Sequence, residues 1–207
     1  MKQATQASRA LRYPLGVARP IARSVSRWLT VSIFAAVLAV SLHAQTSKVN
    51  AGQVQAAYLY NFGKFVKWPA VAPANQSGAF IICVLDQDPF GDTLQSTLSG
   101  ETVAGKPVAV RRLTKPQDAS ACHILFISGS RAHELNQILS SIDEAAVLTV
   151  SDMPDFSKRG GMIQFVLEGD RIRFEINLAG AEKSHLVFPS ELLKVATAVR
   201  KPARSGD

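Results

Sequence analysis

Two cysteines, four histidines and a few serine–aspartate clusters are the residues of this chain that could do chemistry. Cys83 and Cys122 could close a disulfide, or Cys122 could join His123 in a metal site. The metal reading fails on geometry, because neighbouring residues of a strand point to opposite faces and cannot readily hold one ion. His133 and His185 have no ligand-like spacing to either cysteine, so no metal and no cofactor is expected. Ser128, Gly129, Ser130 and Arg131, together with Ser151 and Asp152, are the candidate ligand-binding residues. Each group follows an apolar run that reads as a strand, and parallel sheets bind ligands just past the carboxyl ends of their strands. Asp86 and Asp88 hold the same place after an earlier run. Free N–H groups at Ser-Gly-Ser could grip an anion, but a serine ahead of a helix is first of all a cap. The chain has no dinucleotide fingerprint, no phosphate loop ending in Gly-Lys-Ser/Thr and no Gly-x-Ser-x-Gly elbow. Nothing assembles an acid, a base and a positioned nucleophile, so no catalytic residue is assigned and no enzyme is expected.

The elements that must carry these residues follow from hydrophobic spacing. Val54, Tyr58, Phe62 and Phe65, widened by Ala57, Leu59 and Val66, predict a helix over 49–66 that stops before Pro69. The continuous apolar run Ala79–Leu85 predicts a strand covered on both faces. A short helix over Phe90–Leu98 follows, then a strand over Val108–Leu113 entered through Gly105-Lys-Pro107. Cys122–Ile127 predicts a third strand, Arg131–Ser141 a helix and Ala146–Val150 a fourth strand. Gly160-Gly161 launches a β-hairpin, Met162–Leu167 and Arg171–Ile176, around Glu168-Gly169-Asp170. On one hairpin face Ile163, Phe165 and Leu167 meet Ile172, Phe174 and Ile176. Ser190 is expected to cap a last helix reaching Val199. The fold class is α/β: three layers, a mixed and mostly parallel sheet with helices on both faces, and a C-terminal antiparallel β-hairpin.

The first 44 residues carry six basic residues and no acidic one, then an apolar run from Trp28 to Leu42 and His43-Ala44-Gln45. These are the parts of a secretory signal peptide over 1–44, cleaved near Ala44. An apolar run of about 15 residues is short of the roughly 20 a spanning helix needs, so no membrane insertion is expected after cleavage. Residues 45–200 then form one α/β domain and 201–207 a flexible tail. Of 23 Lys and Arg, 17 remain after the leader against 16 acidic residues, a net of +1. A body so balanced lacks the basic surplus that tracks phosphates, which excludes nucleic acid as a partner. Export places the two cysteines in an oxidising compartment, where they invite one bridge; two buried thiols are the alternative.

A series of landmarks adds to this reading. In order they are Tyr58-Leu-Tyr-Asn-Phe62 with Trp68-Pro69, Phe80-Ile-Ile-Cys-Val-Leu85 with Pro89-Phe90, and Gly105-Lys-Pro-Val108. Next come Cys122-His-Ile-Leu-Phe-Ile-Ser128, Leu148-Thr-Val-Ser-Asp152 with Phe156, and Gly160-Gly-Met-Ile163. Arg171-Ile-Arg-Phe-Glu-Ile-Asn-Leu178 and Ser190-Glu-Leu-Leu193 close the series. Their joint order resembles the YfiR-like family of periplasmic repressors of a membrane-bound diguanylate cyclase. The resemblance implies a non-catalytic, homodimeric negative regulator of cyclic-di-GMP signalling and biofilm formation. Its partner would be the periplasmic sensor domain of an inner-membrane cyclase. The resemblance also pairs Cys83 with Cys122 by position. Some relatives carry a second cysteine pair near 152–165; this chain has none, so rigidity there must be missing or replaced, and Asp152–Gly161 is expected to be comparatively mobile. A periplasmic small-ligand sensor built around Ser128–Arg131 and Ser151-Asp152 is the alternative function, and an enzyme the last.

Overall fold

The computed structural model describes residues 51–70, 77–143 and 145–202. The signal peptide, its cleavage near Ala44 and the last five residues of the tail lie outside the described residues. Helix α1 spans residues 51–65. It buries Ala56, Leu59, Phe62 and, just past its end, Val66. Those residues recur at three- and four-residue steps, one seam on a 3.6-residue turn. Phe65, expected in that stripe, sits roughly a quarter-turn away from the seam and is 47% exposed. Lys67 then forms an isolated antiparallel bridge with Val187, with backbone bonds of 3.0 and 3.1 Å.

The strands are β1 (Phe80–Leu85), β2 (Thr102–Val103), β3 (Lys106–Leu113), β4 (Ile124–Ile127), β5 (Leu148–Ser151), β6 (Ile163–Glu168), β7 (Arg171–Asn177) and β8 (Ala198–Arg200). Between them lie α2 (Asp92–Leu98), α3 (Leu135–Ser141), α4 (Leu178–Lys183) and α5 (Ser190–Val195). The sheet runs β2-β3-β1-β4-β5-β6-β7-β8. All neighbours are parallel except β2–β3 and β6–β7. β1 lies inside the sheet and is buried at every position, which is why its sequence is apolar without alternation. Its side chains divide between the two faces. Phe80, Ile82 and Val84 join α1, α2 and α5 in one core, while Ile81, Cys83 and Leu85 join α3 and Phe156 in the other. Each such fully buried aliphatic or aromatic side chain contributes about 1.5–3 kcal/mol. Three layers with helices on both faces follow from that division.

The hairpin has the expected register, with Ile163 opposite Ile176, Phe165 opposite Phe174 and Leu167 opposite Ile172. Other elements differ from expectation. The hairpin does not end the sheet: β8 adds outside β7 in parallel. The last helix stops at Val195 rather than Val199, because the Thr197 amide and hydroxyl both donate to Phe174 O, at 2.9 and 3.1 Å, and draw the chain onto β7. Its N-cap position is Pro189, with no side-chain cap bond, so Ser190 begins the helix instead of capping it. The expected helix from Arg131 starts as a 3-10 segment, Gly129–Glu134, and becomes α-helical only at Leu135. Strands β2 and β8 and helix α4 are too short to leave a period in the sequence. Among the described residues no helix is long and apolar enough to cross a membrane.

Candidate functional site

β1, β4 and β5 end side by side, and their carboxyl ends bring most of the candidate ligand-binding residues together. Ser128 follows β4 and caps the 3-10 segment, its hydroxyl oxygen accepting from the Ser130 amide at 3.4 Å. The Ser130 hydroxyl donates to Asp86 Oδ2 at 2.8 Å and lies 3.3 Å from Ser128 Oγ. Arg131 lies between two carboxylates: Nε is 3.3 Å from Asp86 Oδ2, and Nη1 donates to Glu134 Oε2 at 2.8 Å. The Ser130 hydroxyl bond, with the Arg131 charge behind it, holds Asp86 below the usual carboxylate range. Asp86 itself has φ 70°, a left-handed conformation that aspartate tolerates better than most residues. Gly129 and Ser130 are exposed.

Ser151 has a different task. It is fully buried, donates its hydroxyl to Ile127 O at 2.7 Å and accepts from the Met153 amide at 3.0 Å. Those two bonds tie the end of β5 to the end of β4 and use the hydroxyl on the protein itself. Asp152, next along, is exposed at the surface, and partial desolvation raises its carboxyl above the ordinary value. Arg159 reaches back across this end of the sheet and donates to Ala132 O at 2.7 Å. The strand-end cluster is therefore real as a constellation, but its polar groups mostly satisfy one another.

Cys83 and Cys122 form a disulfide, with Cα atoms 6.0 Å apart. Cys83 lies on β1, opposite Leu125 of the neighbouring β4, and Cys122 lies where the 3-10 segment Pro116–Ala121 ends, two residues before β4. Both sulfurs sit in the core beneath α3. His123 turns to the opposite face, where its ring stacks on Phe80 at 4.3 Å and meets Trp68 edge-on at 6.0 Å. Its Nδ1 accepts from the Ile81 amide at 3.0 Å, which requires that nitrogen to be unprotonated. Burial, reinforced by the Lys106 charge, pushes His123 down to about 4. Cys122 and His123 precede β4, which begins at Ile124 rather than at Cys122 as expected, and they point apart, Cys122 into the α3-side core and His123 onto Phe80. Among the described residues no three His, Cys, Asp or Glu side chains gather as a metal ion would require.

The segment from Asp152 to Gly161 is anchored rather than loose. Met153, Phe156 and Ser157 are buried. Ser157 Oγ donates to Glu175 Oε2 at 2.8 Å and lies 3.2 Å from Gln164 Oε1, while Gln164 also accepts from the Ser157 amide. Arg200 of β8 closes the network, donating to Ser157 Oγ at 3.1 Å and to Glu175 at 3.2 Å. These polar bonds tie the segment expected to be comparatively mobile to β6, β7 and β8. Gly161 packs against the Phe156 ring so closely that a Cβ there would overlap it. None of the four network residues forms a motif, and their separations along the chain leave no local signal to find them by.

One further concavity lies elsewhere. A cleft of about 520 Å³ opens between the start of α1 and the hairpin, walled by Val54, Tyr58, Leu167 and Ile172, with Arg171 and Arg173 among its lining. The Tyr58 hydroxyl donates to Ile172 O at 3.4 Å across it.

Comparison with known proteins gives an extensive family match. The family model described as YfiR/HmsC-like matches residues 52–197. No curated protein matches the chain. Among solved structures, a similar chain is the ABC domain in complex with L-Trp from Streptococcus pneumonia, at 14% identity and a TM-score of 0.44. That likeness covers 61% of this chain and 60% of the other, and at such a score it bears on neither fold detail nor function.

Proposed function

The chain belongs to the YfiR/HmsC-like family, and from that membership we propose that it is a periplasmic regulator of diguanylate cyclase signalling. In this reading the mature protein, cleaved near Ala44, binds the sensor region of an inner-membrane cyclase and represses it, lowering cyclic-di-GMP. The carrying observation is the extent of the match, which runs from α1 through α5 and so takes in the staple, both cores and the hairpin. A repressor of this kind needs no reaction centre; it needs only to bind one sensor conformation more tightly than another. Ser128, Ser130, Asp86 and Ser151, bonded to one another or to backbone, suit a rigid binding body. The protein is further proposed to act as a homodimer.

The test is reconstitution of the full-length cyclase in membranes with the mature protein titrated in. Cyclic-di-GMP production should fall in proportion to bound protein. Unchanged production at saturating protein ends the reading.

A second reading, a small-ligand sensor, is favoured by the cleft between α1 and the hairpin, whose volume suits a small molecule. A small-molecule panel that raises the melting temperature of the wild type but not of Tyr58→Ala would support it, since binding the folded form alone stabilises it. A flat response across the panel removes it.

A further inference from the structure

One side of the sheet ends in an edge that is only partly covered. β2 pairs with β3 at Lys106 and Pro107, and the Val108 amide still reaches Glu101 O at 3.0 Å. Beyond that point, no strand among the described residues lies outside β3. Two bonds fix which backbone groups face outward. The Asp86 amide donates to Leu113 O at 2.8 Å, so Leu113, Arg111 and Ala109 direct their backbone groups towards β1. The Val108 amide, pointing the other way, confirms the alternation. Val110 and Arg112 therefore face solvent with their N–H and C=O groups, and neither amide has a hydrogen-bond partner among the described residues. Such a row is a template for another strand.

The side chains along this edge have one sign. From Lys106 to Lys115 the chain holds Lys106, Arg111, Arg112 and Lys115 and no acidic residue. Asp88 answers Arg112 at 2.8 Å. Arg111 and Lys115 are exposed and have no ion pair among the described residues. Val108 and Val110 are half-buried against the α1-side core and give the edge an apolar margin.

We propose that the edge of β3 is a docking site for an acidic, extended segment of another protein, which adds as a strand beside Val108–Leu113. Backbone bonds to Val110 and Arg112 supply the affinity, and carboxylates beside Arg111 and Lys115 supply the selectivity. The same charges oppose a second copy of this chain, since two β3 edges side by side would set their arginines against each other. Basic residues also discourage indiscriminate edge pairing. That protective role alone predicts no preference for an acidic strand, and here the proposal departs from it. The site needs no particular cyclase, so it can stand or fall apart from the repressor reading.

The experiment is amide hydrogen exchange by NMR on the mature protein, with two capped eight-residue peptides as probes, one alternating valine with glutamate and one alternating valine with lysine. With the glutamate peptide at ten times its Kd, exchange at Val110 and Arg112 should slow about tenfold. The lysine peptide should leave both amides unchanged. Val110→Pro removes an outward N–H without taking a bond from β1, and should abolish the slowing while β1 and β4 amides keep their protection. Arg111→Glu with Lys115→Glu leaves the backbone intact and should transfer the preference to the lysine peptide. The proposal is overturned if neither peptide slows these amides, if both do so equally, or if the slowing survives in Val110→Pro. Slowing that follows protein concentration without peptide would assign the edge to a second copy and overturn it as well.

Discussion

The middle of the sheet and its β8 end are held by opposite chemistry. Around β1 and β4 the link is covalent and dry: Cys83–Cys122 lies within an apolar core, with uncharged His123 on the reverse face. Around β6, β7 and β8 the link is polar and half-exposed: Ser157, Gln164, Glu175 and Arg200 share one hydrogen-bond network. Both tie a connecting segment to neighbouring strands. The first constrains the unfolded chain whatever the solvent, whereas the second acts only in the folded state and weakens with salt. The stapled middle should therefore respond to reductant and acid, and the β8 end to salt.

The contrast can be broken most forcefully at the staple. The bridge closes a sequence separation of 39 residues. Replacing both cysteines by alanine should lower stability by about 4 kcal/mol on the chain-entropy account. Urea unfolding with and without reductant measures this, and reductant should have no further effect on the variant. The segment leading into β6 has its own steric keystone. Gly161→Ala should cost about 3 kcal/mol, since its methyl meets the Phe156 ring, and adding Phe156→Leu should recover part of the loss. If Gly161→Ala alone is neutral, the close packing of that turn is wrong.

The polar network should respond more gently. Glu175 and Arg200 are partly exposed, with side chains 22% and 37% accessible. Discounted for that exposure, Arg200→Ala should lower stability by about 1 kcal/mol, and the loss should shrink in molar salt. Hydrogen exchange should place the effect in residues 153–161 and leave β1 untouched; a uniform effect would erase the distinction between the two regions. Smallest at neutral pH, but specific to the stapled region, is the response of His123. Its folded pKa of about 4 lies below the ordinary value of 6.5. Between those values the unfolded chain binds more protons, so stability is fully present above about pH 6.5 and falls as pH drops towards 4. His123→Asn, which keeps an acceptor for the Ile81 amide, should flatten that slope in equilibrium unfolding.

Much of the architecture was legible because it repeats. The unbroken apolar run of β1, the alternation of β6 and β7 and the turn Glu168-Gly169-Asp170 each carry a period that fixes element type and face. Phe65 shows where period alone misleads: it belongs to the apolar stripe as a residue type, yet Phe62 and Val66 already fill the seam. The candidate site was legible only in part. Ser128–Arg131 and Asp152 follow β4 and β5 as expected and Ser151 ends β5, but residue type could not tell that Ser151 faces inward to Ile127 O while Gly129 and Ser130 stay exposed. The cleft beside Tyr58 left no signal, since its walls come from segments more than a hundred residues apart.

By itself the amino-acid order determined the α/β class, the parallel middle of the sheet, the hairpin register and the family. All of these are written in local spacing and in the sequence of landmarks. Tertiary structure alone decided which strands became neighbours. That choice brought Cys83 to Cys122, carried Arg200 to Ser157 and Glu175, and left Val110 and Arg112 facing solvent. The physical reason is that pairing between distant strands depends on which apolar faces can be buried together, a property of the assembled chain and of no single stretch within it.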